Sequence, residues 1–317
     1  MAKYTGQSVL NEPKGSALGG FKAEWKKNRL LYLMFVPVAL YYLLFAYKPM
    51  YGAIIAFQDY EPMKGIAGSD WVGFQHFVDF FNNYYFWRIL KNTLVISVTS
   101  IVFGFPAPII LALLLNEVTG DKFRRTVQTL SYIPHFISMV VICGMIKVFT
   151  ADNGIIMDLL NLFGVPRQPL LNNASAFVPI YIVSDIWQGV GWGSIIYLAA
   201  LTNIDHALYE AATIDGANRW QQTLNVTLPG IAPTIIIMLI LRLGSILGVG
   251  YEKIILLYSP LTYDTADVIS SFVYRKGLQE FNWSYSTAVG LFNSVVNFIF
   301  LIVANTISRK IGDTSLW

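Results

Sequence analysis

Two sets of residues in this 317-residue sequence could do chemistry, and neither has the makeup of a catalytic centre. The first is compact. Glu210-Ala211-Ala212 is followed after three residues by Gly216, with Asp215 just before it, and the stretch runs on to Leu228-Pro229. Ala211 and Ala212 carry almost no side chain, so another surface can approach closely, and Glu210 and Asp215 put negative charge at the edges of the patch. Glycine is the residue expected where a helix ends or turns sharply. The segment therefore reads as a short helix, a break at Gly216, a second short helix and a stop at Pro229: a knob suited to a socket on a partner. The second set is spread out. Asp185, Trp187, Gln188, Trp192 and Tyr197 are interleaved with Gly189, Gly191 and Gly193, and Arg242 and Asn293 follow. Such groups stack on, and hydrogen-bond to, a polyhydroxylated ligand. They also suit packing, with glycines admitting close helix contact, tryptophans filling space and Asn92, Asn293 and Asn297 bonding between helices.

Conventional active-site chemistry has little support. His76, His135 and His206 stand far apart on different segments, so a metal site is not expected, and no nucleophile–base arrangement stands out. Cys143 is the sole cysteine and cannot form an internal disulfide or a cysteine-rich metal site. The phosphate-cradling pattern G-x-x-x-x-G-K-[ST] is missing, as is any Gly-Lys dipeptide.

The elements that must position these residues are membrane spans. The sequence is 55% hydrophobic and 13% charged, with mean hydropathy +0.52, whereas soluble domains carry roughly 25% charged residues. Spanning the hydrocarbon takes ~20 mostly apolar helical residues. Charge-free runs cover 30–47, 92–116, 126–146 and 281–308; the run 176–202 holds only Asp185, and 231–251 only Arg242. Six spans are thus predicted, helical because lipid offers backbone groups no partners. Asp185 and Arg242 are expected to face a cavity or a partner, the candidates being each other, a ligand or another subunit. The three glycines predict a weak or broken fourth span, each costing about 0.8–1 kcal/mol relative to Ala. Pro106 and Pro108 predict a kink in the second. Glu252 and Lys253 are expected at the outer mouth, salt-bridged or exposed.

Lys and Arg residues set the orientation. Twelve fall on the side holding the N-terminus and nine on the other, with the sharpest contrast around the first span, so both termini are placed in the cytoplasm. The net charge of +3 is explained by this bias and does not call for nucleic acid. Residues 1–20 are expected to be disordered. The outer loops are rich in Tyr and Trp, which suits an interfacial belt and a docking face alike.

The knob is where a family resemblance becomes specific. Glu210-Ala211-Ala212, three residues, Gly216, nine residues, then Val226-Thr227-Leu228-Pro229 resembles the EAA loop of ATP-binding-cassette (ABC) importer permeases, with Val226 in place of Ile. The resemblance covers nearly the whole chain from about residue 28. It implies an all-α membrane protein of six transmembrane helices with the type I ABC importer permease fold and a cytoplasmic EAA coupling helix. It further implies that Glu210, Ala211, Ala212, Asp215 and Gly216 contact an ATPase subunit. The organisation expected is a cytoplasmic N-terminal segment over 1–28, a permease domain over 29–310 with the EAA loop at 207–229, and a cytoplasmic tail over 311–317.

Trp71-Val72-Gly73-Phe74-Gln75-His76-Phe77, Arg88 to Thr93, Gly250 to Ile254 and Leu261 to Asp267 resemble the carbohydrate branch, especially its oligosaccharide and polysaccharide-fragment importers. The resemblance implies a multi-pass permease subunit in the bacterial inner (plasma) membrane, working by alternating access and not itself an enzyme. Its implied partners are a second homologous permease in a heterodimer, two ATPase subunits and an extracellular solute-binding lipoprotein, with carbohydrate as cargo. No cofactor is expected in this chain, ATP and Mg being used by the ATPase. The rival readings are the same architecture importing an amino acid, phosphate or another solute, an integral membrane enzyme, and a secondary transporter, which would not need the EAA loop.

Overall fold

The computed structural model describes residues 17–311 and 314–317. These are helical apart from loops and one short antiparallel ladder, Gln58–Asp59 against Asp70–Trp71, the one departure from an all-α architecture. The backbone forms two units, divided between Ile54 and Ile55.

In the first unit the helix Ala17–Tyr42 runs through a π turn, Leu43–Tyr47, into Lys48–Met50. The expected disorder over 1–20 falls outside the described residues as far as 16, while the helix already begins at Ala17. Asn28 interrupts the helical dihedrals where the polar lead-in gives way to apolar sequence. Leu30, Met34, Phe35 and Phe45 are all exposed, as suits a helix whose solvent is lipid.

In the second unit the apolar runs mostly become the helices expected of them. Together with Lys27–Phe57, three helices of this unit are long and apolar enough to cross a membrane: Phe86–Glu117, Arg219–Leu243 and Trp283–Lys310. A bent pair, Asp121–Phe136 and Met139–Phe149, adds a fifth if it is one span. The expected straight span over 126–146 is therefore corrected to two helices at 101°. Pro134 lies in a 3₁₀ turn, and the extended Ser138 caps the next helix, so the backbone re-aims there. Ala174–Leu201 is long enough at 28 residues. Its glycines, Asp185 and Gln188 keep it from qualifying on apolarity. It is nonetheless one unbroken helix, so of the two roles its glycines suggested, a broken span is not seen. A Cβ at Gly191 would lie 2.1 Å from the Ser131 carbonyl oxygen, and one at Gly193 would lie 3.0 Å from Pro108. These two glycines are therefore close-packing positions. At Pro106 and Pro108 the expected kink is not seen as a break: Phe86–Glu117 runs on as one helix, and a π turn, Ser100–Gly104, accommodates the donor a proline lacks.

Three buried clusters hold the helices together. Ile96, Ile142, Phe177 and Ile254 build one. Phe80, Ile89, Leu247 and Phe272 build the second; Ile109, Ala112, Tyr197 and Ile231 build the third. One polar knot joins distant segments. Asp267 is fully buried, accepts from both terminal nitrogens of Arg275 at 2.8 and 2.7 Å and lies 3.4 Å from Arg88. Asn92 donates to its carbonyl at 3.0 Å, and Thr93 accepts from the Ile269 amide. A buried carboxylate is tolerated only when so paired.

Candidate functional site: an exposed knob and a charged cavity

The knob is built almost wholly from local hydrogen bonds. Asp205 caps the helix His206–Ile214 by accepting from the Ala207 amide at 2.9 Å. Gly216 then takes φ +77. The amide of Ala217 donates to Ala212 at 2.9 Å and that of Gly216 to Thr213 at 3.1 Å, the paired closure of a glycine-ended helix. Asn218 and Gln221 cap the next helix reciprocally, at 2.8 and 2.9 Å. Gln222 donates to Thr213 and to the Ala217 carbonyl, both at 3.1 Å, folding the second helix onto the first. The predicted stop at Pro229 is corrected: Arg219–Gln222 passes through a π turn, Thr223–Thr227, straight into Leu228–Leu243, with Pro229 in its first turn. The knob is thereby continuous with a helix long and apolar enough to cross a membrane.

What the knob presents is bare surface. Glu210, Ala211, Asp215 and Gly216 are exposed. With them Ile214 is 86% and Trp220 69% exposed, although burying such a side chain is worth about 1.5–3 kcal/mol. Arg219 pairs with Glu117 at 3.2 Å, and the Tyr209 hydroxyl meets Thr227 at 3.0 Å, so the knob is tethered at its base and open at its tip.

The second site is a pair of adjoining cavities of about 230 and 380 Å³ that share Ser100, Asp185, Arg242 and Ser245. Asp185, Gly189, Gly193 and Tyr197 recur every fourth residue and form one stripe along the larger cavity. The π turn at Ser100 aims its hydroxyl at Arg242, which donates to it at 2.6 Å. Arg242 is exposed and lines both cavities. Lys253 lies beneath Asp185, with its side chain only 3% exposed. Its ammonium donates to the Tyr181 carbonyl at 3.2 Å, reaches Asp185 at 3.4 Å and sits 4.7 Å over the Tyr181 ring.

Of the dispersed residues named from sequence, the fold brings Asp185, Tyr197 and Arg242 to these cavities and leaves four elsewhere. Trp187, on the opposite side of its helix, lines a separate apolar groove with Phe149 and Val183. The Trp192 ring stacks flat on His135, at 4.7 Å and 2°. Gln188 is half-buried, lining neither cavity. Asn293 has a buried, unpartnered amide oxygen away from both. Of the two roles expected for Lys253, salt-bridged or exposed, it takes the first and is buried, and of the partners open to Asp185 the one met is not Arg242 but Lys253. Its signal in the sequence was a lone cation opening the apolar run Ile254–Leu257. Ser100 and Tyr181 gave no signal. Among the described residues no group of three His, Cys, Asp or Glu could hold a metal ion.

A family model described as a binding-protein-dependent transport system inner membrane component matches residues 104–313, which include the knob and most of the cavity wall. The chain is 43% identical over 310 residues to Protein LplB of Bacillus subtilis strain 168, covering 98% of this chain and 96% of that one. It is 44% identical over 306 residues to the polygalacturonan/rhamnogalacturonan transport system permease protein YteP of the same strain, covering 94% and 95%. Among solved structures it is similar to a chain of a bacterial ABC transporter involved in the import of the acidic polysaccharide alginate. That match has TM-score 0.84 and 46% identity, covering 92% of this chain and 99% of the other. A chain of the bacterial alginate ABC transporter in complex with alginate pentasaccharide-bound periplasmic protein matches with TM-score 0.85, at the same identity.

Proposed function

This chain belongs to the family of binding-protein-dependent transport system inner membrane components, and from that premise we propose that it carries fragments of an acidic polysaccharide through the charged cavity. It is a permease subunit of an ABC importer, so ATP hydrolysis resides in another chain. The observation that carries the cargo reading is Arg242. One terminal nitrogen is tied to Ser100, Arg242 has no ion-pair partner among the described residues, and it lines both cavities, so its planar fork is left for a carboxylate. The relatives named for polygalacturonan and alginate point the same way. Asp185, Arg242 and Tyr197 then line the route, with saccharide hydroxyls meeting Ser100, Ser245 and the Tyr197 phenol.

The same reading makes the tip of the knob the ATPase contact. Glu210, Ala211, Ala212, Asp215 and Gly216 supply its polar and bare surface, and Ile214 and Trp220 its apolar anchors. The continuous helix Arg219–Leu243 carries the push to Arg242. Six spans follow if the bent pair and Ala174–Leu201 each cross once. Both termini then lie in the cytoplasm, with a leading segment over 1–28, the permease domain over 29–310 and a tail over 311–317. The working assembly adds a second permease, two ATPase subunits and an extracellular binding lipoprotein. The test is ATP-driven uptake by the reconstituted assembly. An acidic oligosaccharide should enter and its carboxyl-reduced counterpart should not, among saccharides the binding protein accepts. Equal uptake of both would end the acidic-cargo reading.

A further inference from the structure

The Asp185–Lys253 pair is an odd structural ion pair. An ammonium fully engaged by a carboxylate sits about 2.7–2.9 Å from it, yet this pair stands at 3.4 Å through one oxygen. The partners are also unequally placed: the Lys253 side chain is 3% exposed and that of Asp185 40%. Lys253 has three donors. One reaches the Tyr181 carbonyl, and Asp185 is the single acidic group within ion-pair reach among the described residues. A buried ammonium costs several kcal/mol unless a carboxylate faces it. The site therefore demands a carboxylate, while the one that fills it is loosely held and already looks into the cavity.

We propose that Lys253 is a carboxylate-binding subsite of the cavity and that Asp185 is its resident occupant, displaced by a carboxylate of the cargo. This rests on the acidic-cargo reading and adds its chemistry. In the empty state Asp185 holds the subsite shut and ties the helix Ala174–Leu201 to Tyr251–Leu257, across the smaller cavity. When a uronate carboxylate arrives, guided by Arg242 on the shared wall, it replaces Asp185 at the Lys253 ammonium. One carboxylate leaves as another enters, so the charge around Lys253 is unchanged. A passage must bind firmly enough to admit its cargo and weakly enough to release it. A like-for-like exchange meets both demands, because Asp185 returns as each carboxylate departs.

The test uses the intact permease–ATPase complex without the binding protein, so that the binding protein's own sugar site contributes nothing. Thermal unfolding is followed with added galacturonate monomer and, separately, with neutral galactose. In wild type, Asp185 fills the subsite and galacturonate should shift Tm by under about 1 °C. In Asp185→Ala the vacated subsite should accept the free acid, raising Tm by about 2–4 °C at concentrations well above its Kd. Galactose should do nothing in either. The double variant Asp185→Ala/Lys253→Met should lose the galacturonate response. Asp185→Asn, which keeps the side-chain volume, serves if the alanine variant fails to assemble, and should respond in the same direction. The proposal is overturned if galactose stabilises as well as galacturonate does, if the vacated variants gain nothing, or if the double variant still responds. Should the Tm pattern hold while wild type imports no acidic oligosaccharide, the cargo reading falls and the subsite stands.

Discussion

The knob and the cavity are opposite solutions to the problem of placing charge. At the knob, Glu210 and Asp215 are exposed, and order comes from hydrogen bonds between residues within a few positions of one another. At the cavity, Asp185 meets Lys253 across 68 positions and Arg242 meets Ser100 across 142, inside a bundle where every unpaired charge is costly. A site made by chain neighbours can present itself to a partner without help. A site made by chain strangers exists only once the bundle has closed. The former suits a contact that couples two proteins, the latter a compartment that must be rebuilt during each transport cycle.

The largest effect should come from breaking the knob without touching the cavity. Glu210→Lys combined with Ile214→Asp should lower ATPase affinity by about 30-fold or more, since it puts charge into the proposed contact, whose anchor is apolar. Uptake should vanish while the variant still inserts; co-purification with the ATPase subunits and membrane fractionation measure the two separately. Next is the cavity wall. Arg242→Gln should cut uptake of an acidic oligosaccharide about tenfold or more and leave ATPase co-purification unchanged. A matching loss of ATPase binding would dissolve the separation of the two sites. Gly191→Leu tests the close approach beside the cavity. Its Cβ would lie 2.1 Å from the Ser131 carbonyl oxygen, so yield of assembled complex should fall several-fold, as size-exclusion chromatography would report. Asn218→Ala removes one reciprocal cap, worth about 1 kcal/mol, and should weaken coupling modestly, seen as a partial loss of saccharide-stimulated ATP hydrolysis. The smallest effect is expected of Trp192→Ala. Its ring stacks on His135 outside the cavities, and losing about 0.5–1.5 kcal/mol of stacking should change uptake less than about twofold.

The same contrast explains what could be read from the sequence. The helix, the break at Gly216 and the second helix of the knob were legible, because a glycine turn and bare alanines act over a handful of positions, while the Asp205 and Asn218 caps were not read. The knob's one misreading, a stop at Pro229, came from a π turn that has no sequence signature of its own. Four of the six apolar runs fall wholly or partly in helices long and apolar enough to cross a membrane, the run over 231–251 ending as a helix at Leu243, but the break in the third was hidden. Pro134 and Ser138 lie inside a charge-free run, and only the dihedrals reveal the 101° bend. Glycines in the fourth span suggested weakness until the Ser131 and Pro108 contacts showed that Gly191 and Gly193 admit neighbours. Cavity charges were legible as charges and illegible as partners. Pairing with each other was one of the roles left open for Arg242 and Asp185, whereas a buried Lys253 from a short separate helix meets Asp185. The Asp267–Arg275 knot escaped for the same reason, since burial is a property of the closed bundle and not of a local stretch.

The most direct test of the central claim uses the cysteine content. Cys143, the sole cysteine, is buried, so Ile214→Cys at the 86% exposed tip gives an almost clean reporter. In the assembled transporter, a short photoreactive cross-linker attached to that thiol through a reducible disulfide-containing spacer should, on irradiation, join the position to the ATPase subunit and stop uptake, and reductive cleavage of the spacer should restore it. If the introduced thiol reacts with a water-soluble maleimide equally with and without the ATPase subunits, and never cross-links to them while transport proceeds, the knob is not where the motor grips.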